Sequence, residues 1–400
     1  MAVVYWGLMG LFGLVALIWV LTVVTVIARG RDLEFRITAD RDPEAPRTGE
    51  LVSVIIPARN EEGNIGLCLD AVKAQTYQDL EVIVLNDRSE DGTGAEIEAR
   101  QADDPRIKMI PGEERPEGWM GKVWACHVAQ QKAQGEVLLF IDADVRLEPE
   151  AVRQALAYLK ANELGALSVF GRLIMVTFWE WVVQPVVGGL ILQNNDPREV
   201  NDPDKVDKVM ANGQFIMTTR EAYDAVGGHE SIKGEILDDV SYSRRCKEER
   251  VGFHVVYGRE LFGCRMYASL GEIWEGWTKN LFAGLDFRLA LTLIICVALL
   301  VIHVLPFVGL AVTGGLAAAG LMEPLDPLLL LFAANVVMAY VVYVLGLRLA
   351  NYSVVYFWSY PLGMLVTVGL FANSARKIAT GRGVSWKGRT YTLTSSRQRQ

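Results

Sequence analysis

The feature that most constrains this 400-residue chain is a set of long apolar runs near its two ends. Residues 1–28 carry no charged side chain, and Arg29 and Arg31 follow directly. A cleaved signal peptide has an apolar core of roughly 7–15 residues behind a basic start, whereas a transmembrane helix needs about 20 apolar residues. We therefore predict an uncleaved transmembrane helix over residues 1–28. Residues 29–50, which are rich in arginine and contain proline, are predicted to form a linker.

The C-terminal part of the chain contains three more apolar runs, over residues 289–322, 328–347 and 353–372. Uncharged runs of this length are typical of membrane helices, and the alternative is a set of buried helices in a large soluble protein. The last run contains Pro361 and Gly363 and starts with crowded aromatic residues, so we predict that it either spans the membrane or is re-entrant. We assign residues 281–372 to a C-terminal membrane region and residues 373–400 to a basic tail.

Charge and cysteine content argue against several classes of function. The formal net charge is −8, which argues against nucleic acid as the main partner. The five cysteines form no Cys-x-x-Cys pair, so we predict neither a zinc site nor a disulfide framework. This cysteine usage agrees with a central domain that faces a reducing cytosol.

The middle of the chain alternates between strand-like and helix-like segments. Residues 51–57, 80–87 and 135–144 are apolar, β-branched runs, as expected for strands covered on both faces. Helical patterns lie between or beside them, over residues 63–75, 94–102 and 121–134. This alternation predicts an α/β fold with a mostly parallel sheet.

Polar clusters follow the predicted strands, at the edge where open parallel sheets bind ligands. "PARNEEGN" follows the first strand and "NDRSEDGT" the second. Each predicts either a helix cap or turn, or a loop that holds a nucleotide. "DAD", which contains Asp142 and Asp144, follows the third strand. Two carboxylates at a strand end can share one hard cation, and Mg²⁺ is commonly held by one or two carboxylates plus substrate phosphates.

Six motifs occur in order between residues 51 and 280: "VSVIIPARNEE", "VLNDRSEDGT", "GWMGKVWA", "FIDADV", "NGQFIMTTREAYDAVGGHE" and "LDDVSYSRR". Together they resemble the membrane-anchored family 2 glycosyltransferases. The similarity is to bacterial enzymes associated with carotenoid or hopanoid glycosylation and, more distantly, to ceramide glucosyltransferases. The resemblance implies a GT-A fold, Rossmann-like with a mostly parallel sheet, over residues 51–280, flanked by transmembrane helices. It also implies a nucleotide-sugar donor, taken to be UDP-linked.

The resemblance implies roles for individual residues on the donor side. Asp87 would contact the uracil or ribose, and Lys122 would lie near the nucleotide or diphosphate, unless it is a solvated lysine at a helix start. Asp144 would bind Mg²⁺ or Mn²⁺, and Asp142 would hold the ribose or a water beside the metal, or the metal itself. The whole nucleotide-sugar site is predicted to contain Pro57, Arg59, Asn60, Glu61, Asp87, Lys122, Asp142 and Lys279.

The resemblance places the catalytic carboxylates in "LDDV". Asp239 aligns with the base of the family, and Asp238 stands where the family usually has glutamate. An inverting transfer needs one carboxylate to accept a hydroxyl proton, and such general-base help is worth about 10²–10⁴-fold in rate. The alternative for both residues is a helix N-cap.

The chain departs from the processive members of the family. Those enzymes carry a Gln-x-x-Arg-Trp motif before their next membrane helix, where this chain has "GEIWEGWTKNLFAG". Trp277 and Lys279 would partly replace that motif. We therefore predict transfer of a single sugar. The alternatives are a processive polysaccharide synthase and a non-catalytic membrane scaffold with a degenerate transferase domain.

The acceptor is predicted to be a membrane lipid with a hydroxyl or carboxyl group. Residues 177–193 are apolar but interrupted by Glu180, Gln184 and Pro185, with two tryptophans near their start. Because tryptophan prefers the membrane interface, we predict an interfacial segment, and the alternative is a helix packed on the core. Gln214, His229 and Trp277 are predicted on the acceptor side, although His229 could also be a polar turn residue.

The predicted topology places the catalytic domain in the cytosol, beside a bacterial-type inner membrane, because nucleotide sugars are made in the cytosol. Arg29 and Arg31 agree with the positive-inside tendency. The loop at 322–327 is then expected on the outer side. The tail after residue 373 contains seven basic and no acidic residues, so we expect it in the cytosol and residues 353–372 to be re-entrant or interfacial. The alternative is a kinked span with an exported tail.

Overall fold

The computed structural model describes residues 2–30, 34–285, 288–380, 384–386 and 389–391. The strands are β1 (Val52–Ala58), β2 (Leu80–Asn86), β3 (Ile107–Pro111), β4 (Val137–Ile141), β5 (Val145–Leu147), β6 (Ala166–Phe170), β7 (Arg172–Leu173), β8 (Phe215–Thr219), β9 (Phe253–Tyr257), β10 (Phe262–Cys264), β11 (Val384–Trp386) and β12 (Arg389–Tyr391). The helices are α1 (Ala2–Gly30), α2 (Ile65–Lys73), α3 (Thr93–Asp103), α4 (Gly121–Gln130), α5 (Ala151–Ala161), α6 (Phe178–Asn194), α7 (Pro197–Val200), α8 (Arg220–Ala225), α9 (Asp238–Glu248), α10 (Leu270–Ala283), α11 (Leu289–Leu299), α12 (Leu305–Ala318), α13 (Pro327–Leu349) and α14 (Tyr360–Ala379).

The central sheet has seven strands in the order β3-β2-β1-β4-β8-β6-β9. Every strand is parallel to β1 except β8, which pairs antiparallel with both β4 and β6. The predicted strands at 51–57, 80–87 and 135–144 correspond to β1, β2 and β4, so the prediction of a mostly parallel α/β sheet is confirmed.

Helices cover both faces of the central sheet, which explains the continuous apolar strands. Alternate residues of a strand point to opposite faces. Val54 and Leu139 accordingly lie in one buried cluster, whereas Ile55 and Leu138 lie in the other. The polar loops after β1, β2 and β4 are left at the edge of this sandwich.

A second, three-stranded sheet lies beside the end of β4. β10 pairs antiparallel with β5 and parallel with β7. Cys264 of β10 is opposite Val145, directly after Asp144. This small sheet therefore fixes the backbone of the Asp142–Asp144 loop from a distant part of the chain.

Within the described residues, three helices are long and apolar enough to cross a membrane: Ala2–Ala28, Leu289–Ala318 and Pro327–Leu349. They correspond to the predicted runs at 1–28, 289–322 and 328–347. The second contains a π-helical segment, Leu300–Val304, between α11 and α12. The Tyr5 hydroxyl donates a hydrogen bond of 3.1 Å to Asp326, so α1 and α13 start at the same end of the bundle. Since α1 continues toward the central domain, this shared end is the distal one.

The fourth predicted run, 353–372, forms a 3₁₀ turn (Phe357–Ser359) and the start of α14. Among the described residues, α14 does not belong to the helices long and apolar enough to span. It packs against α6 at Gly363, where an added Cβ would lie 2.3 Å from the Val182 carbonyl oxygen. It packs against α10 through Ser374, whose hydroxyl donates to the Thr278 carbonyl oxygen. We call α6, α10 and α14 the helical platform.

The platform contains the segment 177–193 that we predicted to be interfacial, now α6. Its Glu180 side chain is 1% exposed and pairs with Arg265 at 2.9 Å. Its position at the membrane surface stays a prediction, as does that of α14. Half of the basic tail, including Arg382, Lys387, Arg397 and Arg399, lies outside the described residues, as does Arg31.

Candidate active site

The loops after β1 and β2 are bound to each other. The Arg59 guanidinium donates a 2.8 Å hydrogen bond to the Asp87 carbonyl oxygen. The Asn60 amide N–H donates to the Ser89 hydroxyl at 3.0 Å, and the Glu61 amide donates to the Thr93 hydroxyl at 2.7 Å. Pro57 is the half-buried residue of β1, one position before the strand ends at Ala58. The predicted donor residues Pro57, Arg59, Asn60, Glu61 and Asp87 therefore form one rigid rim at the sheet edge.

Lys122 connects motifs that are far apart in the sequence. Its ammonium lies 2.7 Å from an Asp142 oxygen and 3.5 Å from an Asp238 oxygen, and it donates to the Gly213 carbonyl oxygen at 3.3 Å. Burial lowers the pKa of Lys122, but the charges of Asp142 and Asp238 outweigh that effect and raise it well above its usual value. Lys122 therefore stays protonated and is no freely solvated lysine.

Asp238 and Asp239 lie in the first turn of α9, whose N-cap residue is Leu237. The Asp239 carboxylate accepts hydrogen bonds from the Gly213 and Val240 amides, both at 2.8 Å. Burial and then the neighbouring Asp238 raise the pKa of Asp239 to about 6. Burial also acts on Asp238, but the ammonium groups of Lys122 and Lys279 hold its pKa below the usual value. The adjacent carboxylates thus differ in proton affinity, as an acid–base site requires.

Lys279 and Trp277 approach the same region from α10. Burial lowers the pKa of Lys279, and the charges of Asp238, Asp142 and Asp239 oppose that effect. The neighbouring Lys122 ammonium lowers the pKa of Lys279 further, so Lys279 lies close to both Lys122 and this acidic group. The Trp277 indole donates a 2.9 Å hydrogen bond to Gln184 of α6. Both side chains are buried, so this bond joins two helices of the platform.

Asp142 and Asp144 are the residues that could hold a metal. Among the described residues, no group of three or more His, Cys, Asp or Glu side chains could hold an ion. Two carboxylates nevertheless fit Mg²⁺ or Mn²⁺, because such ions complete their oxygen coordination with phosphates and water. Burial and then the charge of Asp144 raise the pKa of Cys264, which indicates that this carboxylate is next to β10. Asp142 is shared with Lys122, so Asp144 is the better candidate ligand.

A cavity of about 3260 Å³ extends from this site to the membrane helices. Its lining includes Asp239, Gln214 and Trp277, most of α6, and parts of α1, α11 and α13. Ordinary small-molecule pockets measure about 300–1,000 Å³. Asp239 lines this cavity, whereas Asp238 lies beside Lys122. The two adjacent carboxylates therefore face different parts of the site.

His229 is not among the residues that line the cavity. It is 7% exposed, its ring hydrogen-bonds the Tyr223 hydroxyl at 2.9 Å, and it packs on Phe140. Burial lowers the pKa of His229 to about 3, so the ring is neutral at physiological pH. Any effect of His229 on the acceptor would therefore be indirect, through the core behind Asp238.

Sequence reasoning missed several residues that organise the site. Gly213 bridges Lys122 and Asp239 through its carbonyl and amide groups. An added Cβ at Gly213 would lie 3.1 Å from the Lys122 ammonium, so the glycine permits this approach. The only sequence evidence was its place in the motif "NGQF". The Gln184–Trp277 and Glu180–Arg265 contacts join segments about 90 residues apart and leave no local pattern.

Comparison with known proteins agrees with this geometry. The family model "Glycosyl transferase family 2" matches residues 53–227. The 4,4'-diaponeurosporenoate glycosyltransferase of Staphylococcus aureus (strain USA300) is 31% identical over 242 residues, which are 58% of this chain and 61% of that protein. The counterpart in strain MRSA252 is 30% identical over 241 residues, with the same coverage. The chain thus spans about three fifths of the length of these curated relatives.

A solved structure shows the fold over almost the whole chain. It is the mannosyltransferase PcManGT from Pyrobaculum calidifontis, in complex with GDP-Man and Mn²⁺. The two chains are 18% identical, with a TM-score of 0.51, and the match covers 92% of this chain and 98% of the other. Residues 53–227 therefore match the model of glycosyl transferase family 2, the chain has the GT-A fold, and its described residues include three helices that are long and apolar enough to cross a membrane.

Proposed function

We propose that this protein is a membrane-anchored glycosyltransferase that transfers a single sugar from a nucleotide sugar to a membrane lipid. The observation that carries the proposal is the cavity that joins Asp239 to α1, α11 and α13. An acceptor that diffuses in water needs no such path. The name of the S. aureus relative, a diaponeurosporenoate glycosyltransferase, supports an apolar acceptor.

On the donor side, the rim formed by Arg59, Asn60 and Asp87 would hold the nucleoside, which we take to be uridine. Asp144, with Asp142, would hold Mg²⁺ or Mn²⁺, which would offset the charge that develops on the leaving diphosphate. The mannosyltransferase with the same fold was solved with Mn²⁺ and a GDP-linked sugar. That supports a divalent cation here and leaves the nucleotide base to be measured.

On the acceptor side, Asp239 would accept the hydroxyl proton as the acceptor oxygen attacks the anomeric carbon. Its pKa of about 6 leaves it mostly deprotonated at neutral pH while retaining proton affinity. Lys122 and Lys279 would hold Asp238 ionised and stabilise negative charge on the donor. Attack from the acceptor face with the diphosphate leaving on the other face would invert the anomeric configuration.

The protein would be anchored in a bacterial-type inner membrane with its catalytic domain in the cytosol. The Tyr5–Asp326 contact lies at the far end of the bundle from that domain, so the loop before α13 would lie on the outer side. The sequence "GEIWEGWTKNLFAG" supports single-sugar transfer, because it lacks the motif of processive enzymes.

The proposal is tested by incubating the purified full-length protein with a panel of nucleotide sugars and bacterial lipid extracts, followed by mass spectrometry of the products. We expect one glycolipid that carries one added hexose. A polymer would instead identify a polysaccharide synthase. Absence of both donor hydrolysis and transfer with every nucleotide sugar would identify a non-catalytic scaffold.

A further inference from the structure

The cavity ends at the same level on all three candidate membrane helices. Its lining includes Ile18 to Val26 on α1 but none of the residues before Ile18. On α13 it includes residues from Val342 to Leu349 and none before Val342, and after α11 it ends at His303. From Val342 to Leu349 the helix rises about 10 Å, at about 1.5 Å per residue. The cavity therefore ends inside a hydrocarbon layer that is about 30 Å thick.

Four aromatic side chains lie together at this level: Trp19, His303, Tyr343 and Tyr360. The ring centroids of Trp19 and His303 are 5.1 Å apart, and those of Tyr343 and Tyr360 are 4.7 Å apart. His303 and the Tyr360 hydroxyl are joined by a hydrogen bond of 2.5 Å. We call these four residues the aromatic floor, and all four line the cavity.

Beyond the aromatic floor the helices pack closely. Phe12 and Phe332 have ring centroids 4.6 Å apart, and Phe12 and Val15 are each 2% exposed. Phe307 and Tyr340 also contact each other there, with centroids 5.4 Å apart. An occupant of the cavity therefore cannot extend past the floor without separating these side chains.

On the sides of the cavity, glycines leave space. Gly188 and Gly189 of α6 and Gly346 of α13 line the cavity, and an added Cβ at each would meet no atom within 4 Å. A glycine inside a helix costs roughly 1 kcal/mol relative to alanine. No close neighbour excludes a larger side chain at these positions. The effect of the three glycines is therefore to leave space in the cavity that a larger side chain would occupy.

We propose that the hydrocarbon chain of the acceptor lipid lies in this cavity, and that the aromatic floor sets the longest chain that the enzyme accepts. The proposal rests on lipid glycosylation as the function. The occupant is a long-chain lipid, because the cavity is continuous from Asp239 to apolar helix faces and packed aromatic side chains lie beyond its last lining residues. His303 and Tyr360 are thereby specificity-determining residues, remote from the reacting atoms.

Photolabelling tests occupancy independently of sugar transfer. The full-length protein is placed in nanodiscs with primary fatty alcohols of graded length, each with a diazirine at the methyl end, and labelled residues are found by mass spectrometry. We expect labelling of the aromatic floor by the chain whose end just reaches it. Gly188→Leu places a bulky side chain in the cavity and should lower that labelling severalfold.

Matched controls are available in the same membrane region. Gly314→Leu makes the same change at a membrane-helix glycine that also has no atom within 4 Å of an added Cβ but does not line the cavity. It should label like the wild type. Equal labelling in Gly188→Leu and Gly314→Leu, or no floor labelling at any chain length, would overturn the proposal.

The glycolipid products made from a bacterial lipid extract provide the second readout. Gly188→Leu should shift them to shorter chains, and Tyr343→Ala, which shortens a floor side chain, to longer ones. Trp6→Ala, which truncates an exposed aromatic side chain of α1 outside the lining, should leave the distribution unchanged. If Gly188→Leu and Tyr343→Ala both form glycolipid with an unchanged chain-length distribution, the inference about the aromatic floor is wrong and the proposed function still stands. Absence of glycolipid from the wild type, even with the floor labelled, would sink the proposed function.

Discussion

The electrostatics around Asp239 lead to a prediction about pH. Burial and then Asp238 raise the pKa of Asp239 from 3.8 to about 6. Because the base must be deprotonated, we expect kcat/KM to fall by about tenfold per pH unit below about pH 6. Asp238→Asn removes a negative charge while keeping the side-chain shape. This lowers the pKa of Asp239, so the acid limb of the profile should move to lower pH.

The expected shift of the acid limb, in pH units, follows from the same causes of the Asp239 pKa. The whole shift of Asp239 is about 2 units, and burial, its largest cause, persists in the variant. We therefore expect the limb to move down by about 1 unit at most. Lys122→Gln should move it in the opposite direction, because the Lys122 ammonium lowers the pKa of Asp239.

The assay is transfer of labelled sugar over a pH series that brackets pH 6, with kcat/KM determined at each pH. Lys160→Gln is the control, since it removes a lysine that pairs with Glu50 instead of the candidate site. The reasoning is refuted if Asp238→Asn and Lys122→Gln move the limb in the same direction, or if neither moves it relative to the control.

Three further predictions address the metal, the platform and the topology. Asp144→Asn should lower Mn²⁺ affinity in the presence of a nucleoside diphosphate by more than about tenfold, measured by calorimetry, since even indirect partners of a metal ligand contribute 10–100-fold; unchanged affinity would place the ion elsewhere. Glu180→Gln breaks the pair between the buried Glu180 and the partly exposed Arg265 and should cost about 1.5–3 kcal/mol, seen as a lower unfolding temperature in detergent; an unchanged temperature would contradict the structural role of the pair. A cysteine in place of Leu325 should react with a membrane-impermeant thiol reagent in intact cells, and a cysteine in place of Gln101 should not. The five native cysteines are buried and give a low background. The reverse pattern would show that the protein has the opposite orientation in the membrane.

The sequence predicted those parts of the fold that have a local pattern. Strands β1, β2 and β4 were visible because both faces are buried, which requires continuous apolar residues. The membrane helices were visible by length and lack of charge. The reversed strand β8 and the separate sheet around β10 depend on pairings between distant segments, for which one sequence holds no local evidence.

The candidate site shows the same division. Asp142, Asp144 and Asp239 could be named because they occur in recognisable motifs. That Lys122 lies between Asp142 and Asp238 could not be predicted, because the contact joins residues 20 and 116 positions apart. The helical platform was anticipated only in part: segment 177–193 was predicted at the interface, but its packing on α14 depends on Gly363, whose meaning emerges only in three dimensions.

The central claim is that the acceptor reaches Asp239 from the membrane. The most direct measurement is to supply isotopically labelled nucleotide sugar to the protein in nanodiscs that contain a bacterial lipid extract, and to follow the label into the lipid and aqueous fractions. We predict that the wild type places one labelled sugar on lipid, and that Asp239→Asn lowers this rate by about 10²–10⁴-fold for a hydroxyl acceptor, with donor affinity little changed. Label that leaves the donor only as free sugar or water-soluble product, with none in lipid, would contradict the account.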